Sequence, residues 1–398
     1  MHIALFTSGW PVSHHASGVV TYVDCLRTEL LKQGHRVSIF TASLEEGFND
    51  PDVHLVRPSG SQKFVQMWWS LLNKNGWDVM RFGSLIGQTI RRVHRSSPID
   101  VIEIEESFGW FQDVARLNSR IPVVVKLHGP TFLVERDDRA SLPFVRNKIE
   151  FEGIALRTAK VLVAPSTCTL EDTLEHYALS PALTRRLPNP LKTDGPLELW
   201  SPEQCDKDTV LFIGRFDKIK GADTVLKVFR RLLDIRPTAK LIFVGPDVGI
   251  RDPNGSMIQF EAYSNRLFSP QEKSQITFLG KLPPSRLQAL RRQALLTLMT
   301  SVWESQSYTV LEALLQACPL VAVNAGGVGE IVENGVSGWL TGPDDVEGLT
   351  TRILQVMDDL PAAQAMGLKG RAYVLANHSP ETVVRQNLEV YQQATTLA

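Results

Sequence analysis

Short apolar runs alternate along the chain with longer stretches in which apolar residues recur at helical spacing. His2 to Thr7 is such a run, Gly18 to Gln33 carries helical periodicity that stops at Gly34, and Arg36 to Thr41 returns as a strand. The chain therefore opens on a β-α-β unit. The pattern resumes with strands at Asp100 to Glu105, Pro122 to Leu127 and Val161 to Ala164, and helices at Phe144 to Thr158 and Thr167 to Tyr177. These strands lack polar alternation, so both faces of their sheet must be covered, which implies a parallel sheet. Leu187 to Lys207, rich in proline and polar residues, breaks the periodicity and marks a domain boundary. Beyond it, strands are predicted at Val210 to Ile213, Leu241 to Val244, Ile276 to Leu279, Leu295 to Met299 and Leu320 to Val323. Helices are predicted from Gly221 and at Pro284 to Arg292 and Thr309 to Ala317, with Asp345 to Met357, Pro361 to Ala376 and Pro380 to Thr396 closing the chain. The stretch Gly245 to Gln275 is longer than a simple connection requires.

Length and composition narrow the reading. A chain of 398 residues exceeds one ordinary core, so two domains of roughly 150 to 200 residues are expected. A net charge of -1 gives no global attraction to nucleic acid or to an anionic membrane. Cys25, Cys168, Cys205 and Cys318 form no C-x-x-C, so neither a zinc site nor a disulfide framework is signalled, and a reducing compartment fits. The N-terminus lacks a basic leader region and no apolar run approaches the ~20 residues a membrane span requires. A cytoplasmic location is expected, extending at most to the cytoplasmic face of a membrane.

The candidate chemistry lies where predicted strands end. Gly214 to Gly221 reads Gly-Arg-Phe-Asp-Lys-Ile-Lys-Gly directly after a strand, and Arg215 and Lys220 are spaced to reach one diphosphate. Glu304 precedes a helix and Glu312 lies eight positions further on, inside it, so the two suit different parts of one ligand. Between them, Ser305, Gln306, Ser307 and Tyr308 lead into that helix, whose free N–H groups add donors for sugar or phosphate oxygens. Together these features predict a nucleotide-sugar site. In the first domain, the turn Ser8 to Gly18 ends at a helix start and reads either as an anion-binding turn or as a plain capped loop. His128 closes a strand and is either structural or aimed into a ligand crevice. The absence of G-x-G-x-x-G argues against a dinucleotide dehydrogenase.

Several motifs in one register resemble the retaining glycosyltransferases of family 4, which have the GT-B architecture. Gly214-Arg215-Phe216 with Lys220-Gly221 looks like that family's G-R-[LF]-x-x-x-K-G, and Glu304 through Glu312 like its E-x7-E element. Pro319-Leu320-Val321-Ala322 and Gly326-Gly327-Val328-Gly329-Glu330 follow in the usual order. The likeness spans nearly the whole second domain and is looser over the first. It implies two Rossmann-like domains facing a cleft: 1–190 on the acceptor side, 191–376 binding the nucleotide sugar, and a C-terminal helix, 377–398, packing back on the first. It further implies that Arg215 and Lys220 bind the donor diphosphate, that Glu304 and the amides after it hold the transferred sugar, and that Glu312 takes the ribose hydroxyls. The backbone at Lys281 and Leu282 resembles the base-contacting turn, His128 the histidine facing the donor sugar, and Gly18 the glycine near its phosphates. The implied activity is transfer of a hexosyl group, with retained configuration and without metal or other cofactor, from a UDP-sugar or related donor to a glycan, lipid-linked or small-molecule hydroxyl. Asp137-Asp138 and Asp344-Asp345 read as surface turns rather than metal ligands.

Four departures from the family pattern stand out. Ser17-Gly18 replaces a Gly-Gly pair, Ser305 to Tyr308 replaces a glycine-bearing loop, Ala317 replaces a common glycine, and Asn189-Pro190 stands where Asn-Gly is frequent. Two rival readings follow: a catalytically silent nucleotide-sugar-binding or regulatory protein, and another GT-B enzyme such as an epimerase or sugar-phosphate synthase. For the acceptor, the acid-rich strand end at Glu103, Glu105 and Glu106 is a candidate face. The segment Lys63 to Leu72, with Trp68 and Trp69, and the later basic helix carrying Arg91, Arg92, His94 and Arg95, read either as a membrane contact or as helices packed on the sheet.

Overall fold

The computed structural model describes residues 1–15, 17–57, 82–135, 142–193, 197–252 and 254–397. The segment Lys63 to Leu72 and the pair Asp137-Asp138 lie outside the described residues. The chain divides into two compact units, Met1–Lys192 with His378–Ala398, and Thr193–Asn377.

In the first unit, strands β1 (His2–Thr7), β2 (Arg36–Thr41), β3 (Val53–Leu55), β4 (Val101–Glu105), β5 (Val123–Lys126), β6 (Val161–Ala164) and β7 (Leu183–Arg186) form one sheet in the order β3-β2-β1-β4-β5-β6-β7. Every pairing is parallel. The strand order reverses between β1 and β4, and crevices outside the carboxyl ends at such a switch are where open α/β sheets bind ligands. Successive residues of β1 serve opposite faces: Ala4 and Phe6 join one apolar cluster, Ile3 and Leu5 another. The basic helix Phe82–Ser96 buries Leu85, Ile86 and Ile90 in the first of these, and the helix Pro380–Thr396 brings Val384, Val390 and Tyr391 to the second.

In the second unit, β8 (Asp206–Ile213), β9 (Lys240–Val244), β12 (Ile276–Phe278), β13 (Ala294–Met299), β14 (Leu320–Val323) and β15 (Trp339–Thr341) form a parallel sheet in the order β12-β9-β8-β13-β14-β15. Here the switch falls between β8 and β13. The stretch from Gly245 to Gln275 folds into an antiparallel hairpin, β10 (Ile250–Arg251) with β11 (Met257–Ile258), and two short helices, Phe260–Ser264 and Pro270–Lys273. Its extra length has a structural use: Phe260 and Tyr263 pack edge-on against Phe216 at 5.3 and 5.8 Å, bracing the turn after β8.

Three edge strands, β3, β7 and β15, extend the sheets beyond the sequence-based expectation. Each is three or four residues long, and none is fully buried, so the continuous apolar run that marks a central strand is missing.

Candidate active site

The two motif loops of the second unit leave neighbouring strands at the switch point and are tied together by backbone. Val302 N donates to Ile219 O at 2.9 Å, and the Thr300 hydroxyl donates to the carbonyls of Lys220 (3.1 Å) and Gly221 (2.9 Å). Gly221 has φ +63 and lies so close that a methyl group there would sit 1.9 Å from the Thr300 carbonyl oxygen. Only glycine permits that approach. On the other side, Gly245 N donates to Gly280 O at 2.8 Å, which joins the Lys281-Leu282 turn to the same end of the sheet. Lys281 is exposed there, while Leu282 packs against the small cluster of Leu211, Val244, Leu290 and Ala294.

Within this frame Lys220 and Glu304 meet directly, Nζ to Oε1 at 2.6 Å, and the Ser301 hydroxyl donates to the same oxygen at 2.6 Å. Arg215 turns to Asp217, Nε to Oδ2 at 2.6 Å, while the other oxygen of Asp217 accepts from Lys220 N at 2.8 Å. Asp217 is thus a buried brace that fixes the Arg215 side chain and the Lys220 backbone. Its signal was present, an acid two positions after the arginine and three before the lysine. Glu304 is held in turn from behind, its carbonyl accepting from Gly327 N at 2.8 Å, with Gly326 pressed against the Trp303 ring. Ser305 is partly exposed, Gln306 and Ser307 are buried, and Tyr308 opens the helix Tyr308–Leu315. Glu312 lies one turn along it and pairs with Arg291. Arg215, Lys220, Glu304 and the 305–308 turn therefore gather at one end of one sheet.

The helix Tyr308–Leu315 ends in a Schellman turn, with Cys318 N donating to Ala313 O and Ala317 N to Leu314 O, both at 2.9 Å. Ala317 takes φ 54 there, the conformation that explains why a glycine is the usual residue.

In the first unit, the helix Gly18–Lys32 starts at an exposed Gly18, with the Ser17 hydroxyl accepting from Val20 N at 3.2 Å. His128 follows β5. Its ring meets Tyr22 edge-on at 5.0 Å, and burial, then the charge of Lys126, depress its pKa to about 3. A ring so held is neutral at physiological pH. Beneath it Glu106 is sealed from solvent and spends its oxygens on the backbone, accepting from His128 N at 2.9 Å and Gly129 N at 2.8 Å. Burial raises its pKa against the pull of those amides. Glu105 is also buried and rises to about 7, through desolvation and then repulsion from Glu106. Glu152 likewise rises to about 7, and it clamps Thr131 through both N–H (3.0 Å) and hydroxyl (2.8 Å). Glu103 accepts from Tyr22 (2.8 Å) and Tyr391 (2.7 Å), and desolvation drives Lys126 down to about 7 although Glu103 attracts its proton. The acids of this strand end are buried and differ in what they hold: Glu106 the His128 turn, Glu105 the Ser107 hydroxyl at 3.2 Å, and Glu103 the hydroxyls of Tyr22 and Tyr391.

Each sheet, with its order reversed about a central pair of parallel strands, defines the Rossmann-like half of a GT-B protein. The whole chain overlays a sucrose-phosphate synthase from Thermosynechococcus elongatus with a TM-score of 0.78 at 19% identity, covering 100% of both chains. Anabaena Alr3699/HepE, solved in complex with UDP-glucose, matches with a TM-score of 0.68 at 18% identity over 99% of this chain and 100% of that one. These likenesses establish the GT-B fold.

Residues 201–373 match the family described as Glycosyl transferases group 1, and residues 16–194 match Glycosyltransferase Family 4. The chain belongs to the group 1, family 4 glycosyltransferases. Among its relatives, the MMP alpha-(1->4)-mannosyltransferase of Mycolicibacterium hassiacum is 24% identical, the alignment covering 99% of this chain and 98% of that protein. Among the described residues, no helix is long and apolar enough to cross a membrane.

Proposed function

We propose that the protein transfers a hexosyl group from a nucleoside-diphosphate sugar, a UDP-sugar in the first instance, to a hydroxyl acceptor with retention of anomeric configuration. The observation that carries this reading is the convergence of Arg215, Lys220 and Glu304 on adjoining loops at the β8/β13 switch. Loss of the sugar leaves a nucleoside diphosphate whose growing charge must be met by fixed cations and N–H dipoles. Arg215 retains its terminal nitrogens for phosphate oxygens, since Asp217 engages only Nε. Lys220, paired with Glu304, exchanges that partner for phosphate as Glu304 turns to the sugar. The reading assigns the phosphate charge to these two side chains rather than to a divalent ion. Glu312 takes the ribose hydroxyls, and the Lys281-Leu282 turn takes the base. A neutral His128 suits a hydrogen bond to a sugar hydroxyl better than proton transfer. The acceptor proton passes to the departing phosphate oxygen on the face of attack.

Thermal unfolding in the presence of UDP-, GDP- and ADP-sugars tests the reading. Saturation at 100 times Kd stabilises by about 2.7 kcal/mol, so the true donor stands out by a rise in Tm. The stabilising donor, incubated with hydroxyl acceptors, should then yield a glycoside whose anomeric configuration matches the donor. A flat response to the entire panel sinks the proposal. Donor conversion without any glycoside, for instance to an epimer, replaces it with a different GT-B chemistry.

A further inference from the structure

The helix Pro284–Gln293 presents Leu287 and Leu290 to the small apolar cluster beneath it, and Arg291, four positions after Leu287, falls on the same inward side. Its side chain is only 1% exposed, which makes it one of the largest fully buried side chains of the molecule. An apolar residue would fill that position without desolvating a charge, whereas a buried guanidinium is costly unless a carboxylate meets it. Among the described residues the acid that meets it is Glu312, Nη2 to Oε2, and Nε is left without a partner. Glu312 keeps 35% of its side chain exposed, and among the described residues none donates to its other oxygen, Oε1. One oxygen is thus anchored from inside and the other remains available to a ligand.

We infer that Arg291 is the positioning residue that presents Glu312 to the vicinal hydroxyls of the nucleotide ribose. The inference rests on the proposed role of Glu312. Anchoring through the buried guanidinium fixes the carboxylate before the ligand arrives, so binding loses little side-chain freedom and the ribose diol is distinguished from a deoxyribose. Arg291 itself touches no ligand. The contrast with Glu304 supports the assignment, because that carboxylate is held by Lys220, a cation with its own claim on the phosphate, whereas Arg291 is sealed away and, among the described residues, pairs with no other acid.

The test measures binding of UDP, GDP and ADP, and of their 2′-deoxy forms, by calorimetry to the full chain and to Arg291→Leu, Arg291→Lys and Glu312→Gln. The native protein should prefer the ribo form of its nucleotide. Arg291→Leu should weaken ribo binding by about tenfold or more while barely changing deoxy binding, so that the preference collapses with the fold intact. Arg291→Lys, which keeps the charge, should restore part of it and provides the same readout if the leucine variant does not fold. Should Glu312→Gln abolish the preference while both Arg291 variants retain it, Arg291 is not the positioning residue and the ribose role of Glu312 stands. If Glu312→Gln also retains the preference, or none of the three nucleotides binds, the ribose role falls and this inference with it.

Discussion

The two units carry similar sheets but handle their carboxylates in opposite ways. In the second unit the acids of the motif loops are paired with cations at or near the surface: Glu304 with Lys220, Asp217 with Arg215, and Asp223 with Lys218 and Lys227. The partners of Asp223 hold its pKa below the usual carboxylate range against a burial that pushes it up. In the first unit Glu103, Glu105, Glu106 and Glu152 are withdrawn from solvent and burial pushes every one of them upward, with the charge of Lys126 as the main compensation at Glu103 and hydrogen bonds at the other three. The cations of these pairs keep 28 to 47% of their side chains exposed, so water and salt weaken the pairing and a cation can be traded to a ligand. A buried acid that holds backbone amides cannot be traded. The pair of Lys220 with Glu304 is therefore built to exchange partners, whereas Glu106 and Glu152 hold the backbone after β5 still.

The sharpest way to break that contrast is to remove an exchangeable cation. Lys220→Ala should lower turnover of the donor by ~10² or more, with a melting temperature close to that of the parent. Near-normal turnover in a folded variant would mean that the ammonium is a bystander.

Glu105→Gln addresses the other side. In the folded chain Glu105 keeps its proton up to about pH 7, whereas unfolded it loses it near 4.5, so between those values the native state binds more protons and stability falls as pH rises. Glutamine has no such slope. The variant should match the parent near pH 4.5 and exceed it by about 3 kcal/mol at pH 8, as read from urea unfolding at both pH values. A difference that does not change with pH would show that the acid is not held protonated.

The smallest expected effect concerns the scaffold behind Glu312. Ala317→Gly removes the left-handed strain at the Schellman turn and should stabilise the chain by about 1 kcal/mol, since the native φ of 54 is one that alanine resists. An unchanged or lowered unfolding midpoint would mean that neighbouring contacts already compensate.

Much of this molecule was legible as pattern. Central strands such as His2–Thr7 and Leu320–Val323 are continuous apolar runs because both faces are covered, and Gly214 to Gly221 with Glu304 to Glu312 announced themselves through spacing. Arg291 was within reach as well, four residues after a core leucine, but a helix face read for its apolar positions passes over a cation.

By itself, then, the order of residues determined the alternation of strand and helix, the family, and which side chains stand at strand ends, because these depend on local periodicity and on motifs contiguous in the chain. Tertiary structure alone decided that Glu106 lies beneath a backbone turn, that Lys220 meets Glu304, and that Glu312 is gripped from inside by Arg291. Burial and partner choice are properties of the packed whole: whether a carboxylate meets water, an amide or a guanidinium depends on residues tens of positions away in sequence, which no local pattern encodes.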